Sequence, residues 1–194
     1  MKLVIIKYNA GNIQSVSFAL ERLGVDFDIT DDVNKIQRAD KVIFPGVGEA
    51  STTMQYLRER KMDSLIKDLK QPVLGICLGM QLMCTHSEEN NTGCLGIFDE
   101  TVKRFIPEAD LKVPHIGWNQ LMLKESWLNP ALEHEYAYFV HSYYVPVNPY
   151  TSAVTEYIHP FSAAMHRDNF YAVQFHPEKS AGAGELVLKS FLDL

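Results

Sequence analysis

Cysteine is scarce in this chain: Cys77, Cys84 and Cys94 are the only three in 194 residues. An odd number without paired spacing argues against a disulfide framework, and no His/Cys pair has the spacing of a zinc ligand set. If Cys77 and Cys84 share a helix, a rise of about 1.5 Å per residue separates their Cα atoms by about 10 Å, beyond disulfide reach. Long apolar runs are missing as well. None approaches the roughly 20 residues that span a bilayer, and residues 3–6 are too few for a signal-peptide core, so the sequence reads as cytoplasmic and not membrane-bound. Basic runs are also absent. With 18 Lys and Arg against 24 Asp and Glu, the net charge of −6 points to neither nucleic acid nor an anionic surface as partner. No low-complexity linker or internal repeat divides the chain, which reads as a single domain over residues 1–194. No motif calls for a metal or a cofactor.

The sequence instead offers short apolar runs separated by turns. Residues 3–6 fit a central strand buried on both faces, residues 8–12 a turn, and residues 13–23 a helix stopped by Gly24. Residues 27–29 read as a strand, 33–38 as a short helix and 41–44 as a second apolar strand that runs into Pro45-Gly-Val-Gly48. Residues 53–69 suit one amphipathic helix or two, and residues 87–93 a polar loop. The second half changes character. Residues 102–105, 138–145, 152–158, 163–167 and 170–174 are β-branched and aromatic, as strands are, and residues 184–194 close the chain as a helix. The expected fold is α/β, with one open, mixed, mostly parallel sheet flanked by helices and extended by antiparallel strands.

Within this pattern Pro72-Val-Leu-Gly-Ile-Cys-Leu-Gly-Met-Gln81 reads as strand, elbow and helix, with Cys77 in a G-x-nucleophile-x-G turn. A helix starting after Cys77 would offer unpaired N–H groups and a positive dipole end, favouring a thiolate and an oxyanion at Leu78. Gln81 would share the face of Cys77. The other reading of Cys77 is a packed core thiol. Pro45-Gly-Val-Gly48, at a strand's carboxyl end, either points a backbone N–H into the ligand crevice or is an ordinary turn; no Gly-Lys-Ser/Thr follows to make a phosphate loop. Phe170-Tyr-Ala-Val-Gln-Phe-His-Pro-Glu178 ends in an imidazole and a carboxylate two residues apart, on one side of an extended segment, as general base and orienter or as plain structure. His115, His141, His159 and His166 are rivals without that carboxylate; His141 reads as a pocket wall or a packed strand residue. Glu88 and Glu89 are either a solvated pair or a holder of a substrate ammonium.

Taken together, Gly75-Ile-Cys-Leu-Gly79, Pro45-Gly-Val-Gly48 and His176-Pro-Glu178 make the whole chain resemble the class I, triad-type glutamine amidotransferases. Pro114-His-Ile-Gly-Trp-Asn119, Tyr138-Phe-Val-His-Ser-Tyr143 and Gln174-Phe-His-Pro-Glu-Lys-Ser180 are most similar to the branch serving a cyclase in histidine biosynthesis. The chorismate-using branch typically follows His-Pro-Glu with Ser, where this chain has Lys179. A non-catalytic subunit should have lost Cys77, His176 or Glu178.

The resemblance implies a flavodoxin-like sheet and hydrolysis of L-glutamine through a Cys77 thioester, with His176 shuttling protons and Glu178 orienting it. It implies that Gly46, Val47, Gly48 and Leu78 form the oxyanion site, that Gln81 and Glu89 hold the amino-acid end, and that His141, Ser142 and Tyr143 line the glutamine pocket. A (β/α)8-barrel cyclase subunit would bind as a heterodimer over Asn12, Trp118, Asn119, Tyr136 and Tyr138 and receive the ammonia. The isolated chain would hydrolyse glutamine weakly until that partner sets the Gly46-Val47 peptide. The chain departs from the family at Lys7-Tyr-Asn9, where an acidic residue and a glycine are expected.

Overall fold

The computed structural model describes residues 1–9, 12–108, 110–124 and 127–194. The apolar runs form the centre of the molecule. β1 (Leu3–Ile6), β3 (Lys41–Gly46) and β4 (Val73–Cys77) are buried throughout their length. Their side chains alternate between two cores. Leu3, Ile5, Ile43, Leu74 and Ile76 enter one; Val4, Ile6, Val42, Phe44 and Val73 enter the other. Helices cover both faces, which is why these strands are apolar at nearly every position. α1 (Ile13–Arg22) and α6 (Ala181–Leu192) lie on the first, and α3 (Ala50–Glu59), α4 (Met62–Asp68) and α5 (Leu78–Leu82) on the second.

With β2 (Phe27–Thr30) outside β1 and β14 (Phe170–Val173) beside β4, the parallel half of the sheet runs β2-β1-β3-β4-β14. This is the flavodoxin-like order, and such sheets bind ligands in the crevice beyond the strands' carboxyl ends. The antiparallel extension follows as β13 (Pro160–Arg167), β12 (Thr151–Glu156) and β9 (Met122–Leu123). The short helix expected after β2 is α2 (Val33–Gln37), capped by Asp32, whose carboxylate accepts from Asn34 and Lys35 N–H. The turn expected over residues 8–12 includes residues 10 and 11, which lie outside the described residues.

The large, mostly parallel sheet with its antiparallel extension is as expected, and among the described residues two smaller sheets stand beside it. β5 (Cys84–Ser87), β6 (Thr92–Gly93), β7 (Phe98–Arg104) and β11 (Tyr143–Tyr144) form a four-stranded sheet. β8 (His115–Gln120) and β10 (Tyr136–His141) form a two-stranded ribbon. The expected strand over 138–145 breaks at Ser142, where the chain leaves β10 for β11. The polar segment 87–93 is a 3₁₀ turn, Glu89–Asn91, between β5 and β6 rather than an irregular loop. Helix α5 is only five residues long, so Cys84 sits in β5 and not in the helix of Cys77. The closing helix begins at Ala181, three residues before the expected start.

One polar contact fastens α6 to the sheet. Lys41 is buried at the start of β3, and its Nζ donates to the carbonyl oxygens of Phe191, Leu192 and Leu194 at 2.8–2.9 Å. Burial lowers its pKa, with Asp193 opposing. A cation on these terminal carbonyls satisfies acceptors that the helix cannot. Lys41→Met is expected to lose about 2 kcal/mol of unfolding free energy, the scale of hydrogen bonds to a charged group. A urea midpoint equal to the parent's would contradict it.

Candidate active site

The carboxyl ends of β3, β4 and β14 meet at one crevice, where Gly46 is the ladder partner of Cys77. Cys77 ends β4 with φ 53° and ψ −109°, a conformation L-residues seldom adopt. The neighbours over-determine it. α5 turns back so tightly onto β3 that a Cβ on Gly79 would lie 2.1 Å from the Phe44 carbonyl oxygen, and one on Gly46 would lie 2.7 Å from Gly79 N. Tyr8, buried against Phe44, donates its hydroxyl to the Pro45 carbonyl and braces the same segment. With a single helical turn behind it, the elbow owes less to a helix dipole than the sequence suggested.

The imidazole comes from the segment after β14. His176 is 2% exposed, and its Nδ1 stands 2.7 Å from Glu178 Oε1, leaving Nε2 for the Cys77 sulfur. Burial alone would lower its pKa, but hydrogen bonds to Cys77 and Glu178 and their charges outweigh burial and push it up to about 10. The imidazole therefore stays protonated at neutral pH, a cation beside the sulfur. The segment is held from β10: His176 N–H donates to Tyr138 O, Tyr138 N–H to Ser180 Oγ, and Ser180 Oγ–H to His176 O.

A cavity of about 350 Å³ opens over the sulfur. Its wall contains Val47, Gly48, Leu78, Gln81, Glu89, His141, Ser142 and Tyr143 from the expected set. Gly46 is not on this wall: its Cβ side is closed by Gly79 N, the Tyr8 hydroxyl and Leu78 Cβ, all within 3 Å of where a side chain would start. Glu89 is on the wall and Glu88 is not: Glu88 accepts from Arg104 N–H at 2.8 Å, while Glu89 Oε2 accepts from Ala50 N–H at 2.8 Å. Burial raises the pKa of Glu89, with the Ala50 N–H opposing. Val140, Lys179 and Pro114 also line the cavity. A larger cavity, about 620 Å³, opens beside β1, β2 and α2 and contains none of these groups.

The residues expected at a partner face divide. Trp118, Tyr136 and Tyr138 share the outer face of the β8–β10 ribbon with Ile116; Trp118, Tyr136 and Ile116 are each more than half exposed. Asn12 and Asn119 turn inward. Asn12 is buried and its Nδ2 donates to Glu178 Oε1, also lying 3.4 Å from His176 Nδ1. Asn119 Nδ2 donates to Glu156 O at 2.8 Å, because the ribbon's alternation sends it to the core side with His115.

His115 and His141 form a pair on that core side. His141 Nδ1 donates to Tyr143 O at 2.7 Å and His115 Nδ1 to His141 Nε2 at 3.0 Å. Burial pushes His115 down to about 4 and His141 to about 3, the neighbouring His115 and His176 adding to the latter and the Tyr143 bond opposing. Both are neutral when folded and charge more readily when unfolded, so their contribution is present above pH ~6.5 and lost as pH falls toward 4 and 3. His176 has the opposite sign: its contribution is full below pH ~6.5 and lost as pH rises toward 10. The unfolding free energy, followed by urea titration, is expected to peak near neutrality and fall on both sides, by an amount of order 2 kcal/mol. Cys77→Ser should flatten the alkaline side; an unaltered alkaline limb would refute the coupling.

Comparison with known proteins identifies the family. The family model described as Glutamine amidotransferase class-I matches residues 4–193. The chain is 62% identical to the imidazole glycerol phosphate synthase subunit HisH of Bacteroides fragilis strain YCH46 over the full length of both, and 62% to that of Bacteroides thetaiotaomicron. It is 45% identical to the subunit of the same name from Photorhabdus laumondii, again over both full lengths. Among solved structures, a putative GMP synthase subunit from Thermoplasma acidophilum superposes with a TM-score of 0.74 at 19% identity, covering 100% of this chain and 93% of that one. That likeness concerns the fold.

Proposed function

Since the chain belongs to the class-I glutamine amidotransferase family, we propose that it is the glutaminase subunit of an imidazole glycerol phosphate synthase. The observation that carries this reading is the 62% identity, over the entire chain, to subunits of that name. The reaction is hydrolysis of L-glutamine to glutamate and ammonia. Cys77 thiolate attacks the side-chain amide carbon, and the N–H groups of Leu78 and of the Val47–Gly48 segment receive the oxyanion. His176 gives its proton to the departing ammonia, which leaves a γ-glutamyl thioester. It then takes a proton from water, whose attack breaks the C–S bond and restores the thiolate. Glu178 holds Nδ1 of His176 throughout, so that Nε2 serves both proton transfers.

Glu89, on the cavity wall, supplies a carboxylate for the substrate's ammonium. His141, Ser142 and Tyr143 shape the side of the pocket, and Gln81 presents its carbonyl oxygen, both of its N–H groups being engaged by Tyr143 O and Gln174 Oε1.

The ammonia passes to a (β/α)8-barrel cyclase subunit docked on the ribbon face of Ile116, Trp118, Tyr136 and Tyr138. Such a face, aromatic and unpaired in the single chain, suits the core of a protein interface. That partner adds the ammonia to a phosphorylated ribulosyl intermediate, forming imidazole glycerol phosphate and an aminoimidazole carboxamide ribotide in histidine biosynthesis. The test is glutamate release by the chain alone, with the cyclase subunit, and with that subunit plus its substrate. Slow release alone and faster release in the complex are expected; equal rates in all three would refute the coupling.

A further inference from the structure

Gln174, immediately after β14, is fully buried beside the nucleophile. Its Nε2 stands 3.8 Å from Cys77 Sγ, and its Oε1 stands 2.9 Å from Gln81 Nε2. Gln81 Nε2 is in turn 2.9 Å from the carbonyl oxygen of Tyr143. The direction of this chain of bonds is set at one end. A backbone carbonyl can only accept, so Gln81 turns its NH₂ to Tyr143, and its second N–H meets Gln174, which must answer with its oxygen. The Gln174 amide then has only its NH₂ to offer the sulfur. Reversing Gln81 would set its oxygen against two acceptors, and reversing Gln174 would set two N–H groups against each other.

We propose that Gln174 is a catalytic residue of this site, donating an N–H to the Cys77 sulfur and stabilising it as thiolate, with Gln81 the positioning residue that fixes the amide in that sense. The sulfur needs such a donor. Cys77 is buried, at 7% exposed, so water does little for its charge, and the Val140 carbonyl at 3.9 Å can only accept from the neutral thiol. An N–H aimed at a buried anion is worth more than one in water. It also carries no charge of its own, so it is in place at every pH.

Among the described residues, the titratable groups around the sulfur are His176 with Glu178 behind it, His141 on β10, Tyr8 after β1, and Glu89, Tyr143 and Lys179 on the cavity wall. All of them remain when Gln174 or Gln81 is changed. The difference between parent and variant therefore isolates the amide.

Its consequence for turnover rests on the glutaminase reading, so the decisive measurement is made without glutamine. The full-length chain is alkylated with iodoacetamide from pH 5 to 9, and modification of Cys77 is followed by peptide mass mapping, apart from Cys84 and Cys94. In Gln174→Met the rate at pH 7 is expected to fall about tenfold or more, the scale of a lost hydrogen bond to a charged group, and the midpoint of the pH profile to move up. Gln81→Met should move it the same way by less. Should Gln174→Met not fold by circular dichroism, Gln81→Met, which frees the amide from its fixed sense and adds no charge, carries the test: the same upward movement is expected, and a folded Gln81 variant with the parent's profile would then overturn the proposal. A folded Gln174 variant with the parent's profile would overturn the proposal. A parent chain that releases no glutamate with its cyclase, yet shows these movements, would sink the glutaminase reading and uphold the donor.

Discussion

Cys77→Ser, assayed in complex with the cyclase subunit, is expected to lose glutamine-dependent product formation by about a thousandfold or more, while ammonia-dependent formation continues. A hydroxyl is too weak an acid to become an anion opposite His176, so the ester that would replace the thioester forms far more slowly. Ammonia added from solution bypasses Cys77 altogether, because the later chemistry belongs to the partner. The measurement is product formation with glutamine or with an ammonium salt as nitrogen source. Loss of both would mean that Cys77 serves the complex in some way other than releasing ammonia, and would break the division of labour between subunits.

Gly79→Ala is expected to lower the melting temperature by about 6–12 °C, as a loss of about 3 kcal/mol does in a domain of this size. The new methyl group would lie 2.1 Å from the Phe44 carbonyl oxygen and 3.2 Å from the carbonyl carbon. Neither atom can rotate away, since Phe44 is in the middle of β3 with paired neighbours on both sides. Either α5 lifts, taking Cys77 and Leu78 with it, or β3 shifts, taking Val47 and Gly48. Both displacements separate the sulfur from its oxyanion donors. Glutamate release should therefore fall by more than the unfolded fraction explains. A variant with the parent's melting curve and activity would show the approach of helix to strand to be looser than described.

The parts of the fold legible in the sequence are those where burial and composition agree. β1, β3 and β4 are covered on both faces and have apolar residues at every position or nearly so, leaving a continuous run that can be read directly. β8 fails that test because its pattern is inverted. His115 is 3% exposed, whereas Ile116 and Trp118 on the other face are 60% and 52% exposed. A periodicity argument assigns apolar residues to the core, and here they look outward. The break at Ser142 is equally hidden, since both sides of it are strand-like in composition.

For the site, Cys77, His176 and Glu178 are legible because each lies at the end of an apolar strand, where chemistry-bearing residues stand out. Asn12 reads from sequence as a turn residue at a partner face, and only the fold brings it to Glu178, 166 positions away. Gln174 carries no local signal at all. A glutamine in an apolar strand is noticed, but what its amide faces depends on Tyr143 and Gln81, two elements distant in sequence.

Cys77 and Gly79 stand two residues apart on the same elbow, yet different pressures fix them. The backbone at Cys77 is one that glycine would adopt without strain, so at that position folding and chemistry pull in opposite directions. A descendant lineage released from the need for ammonia would be expected to drift toward glycine at 77 and gain stability in doing so. At 79 the same lineage would have no freedom, because the Phe44 carbonyl is there whether or not the thiol reacts.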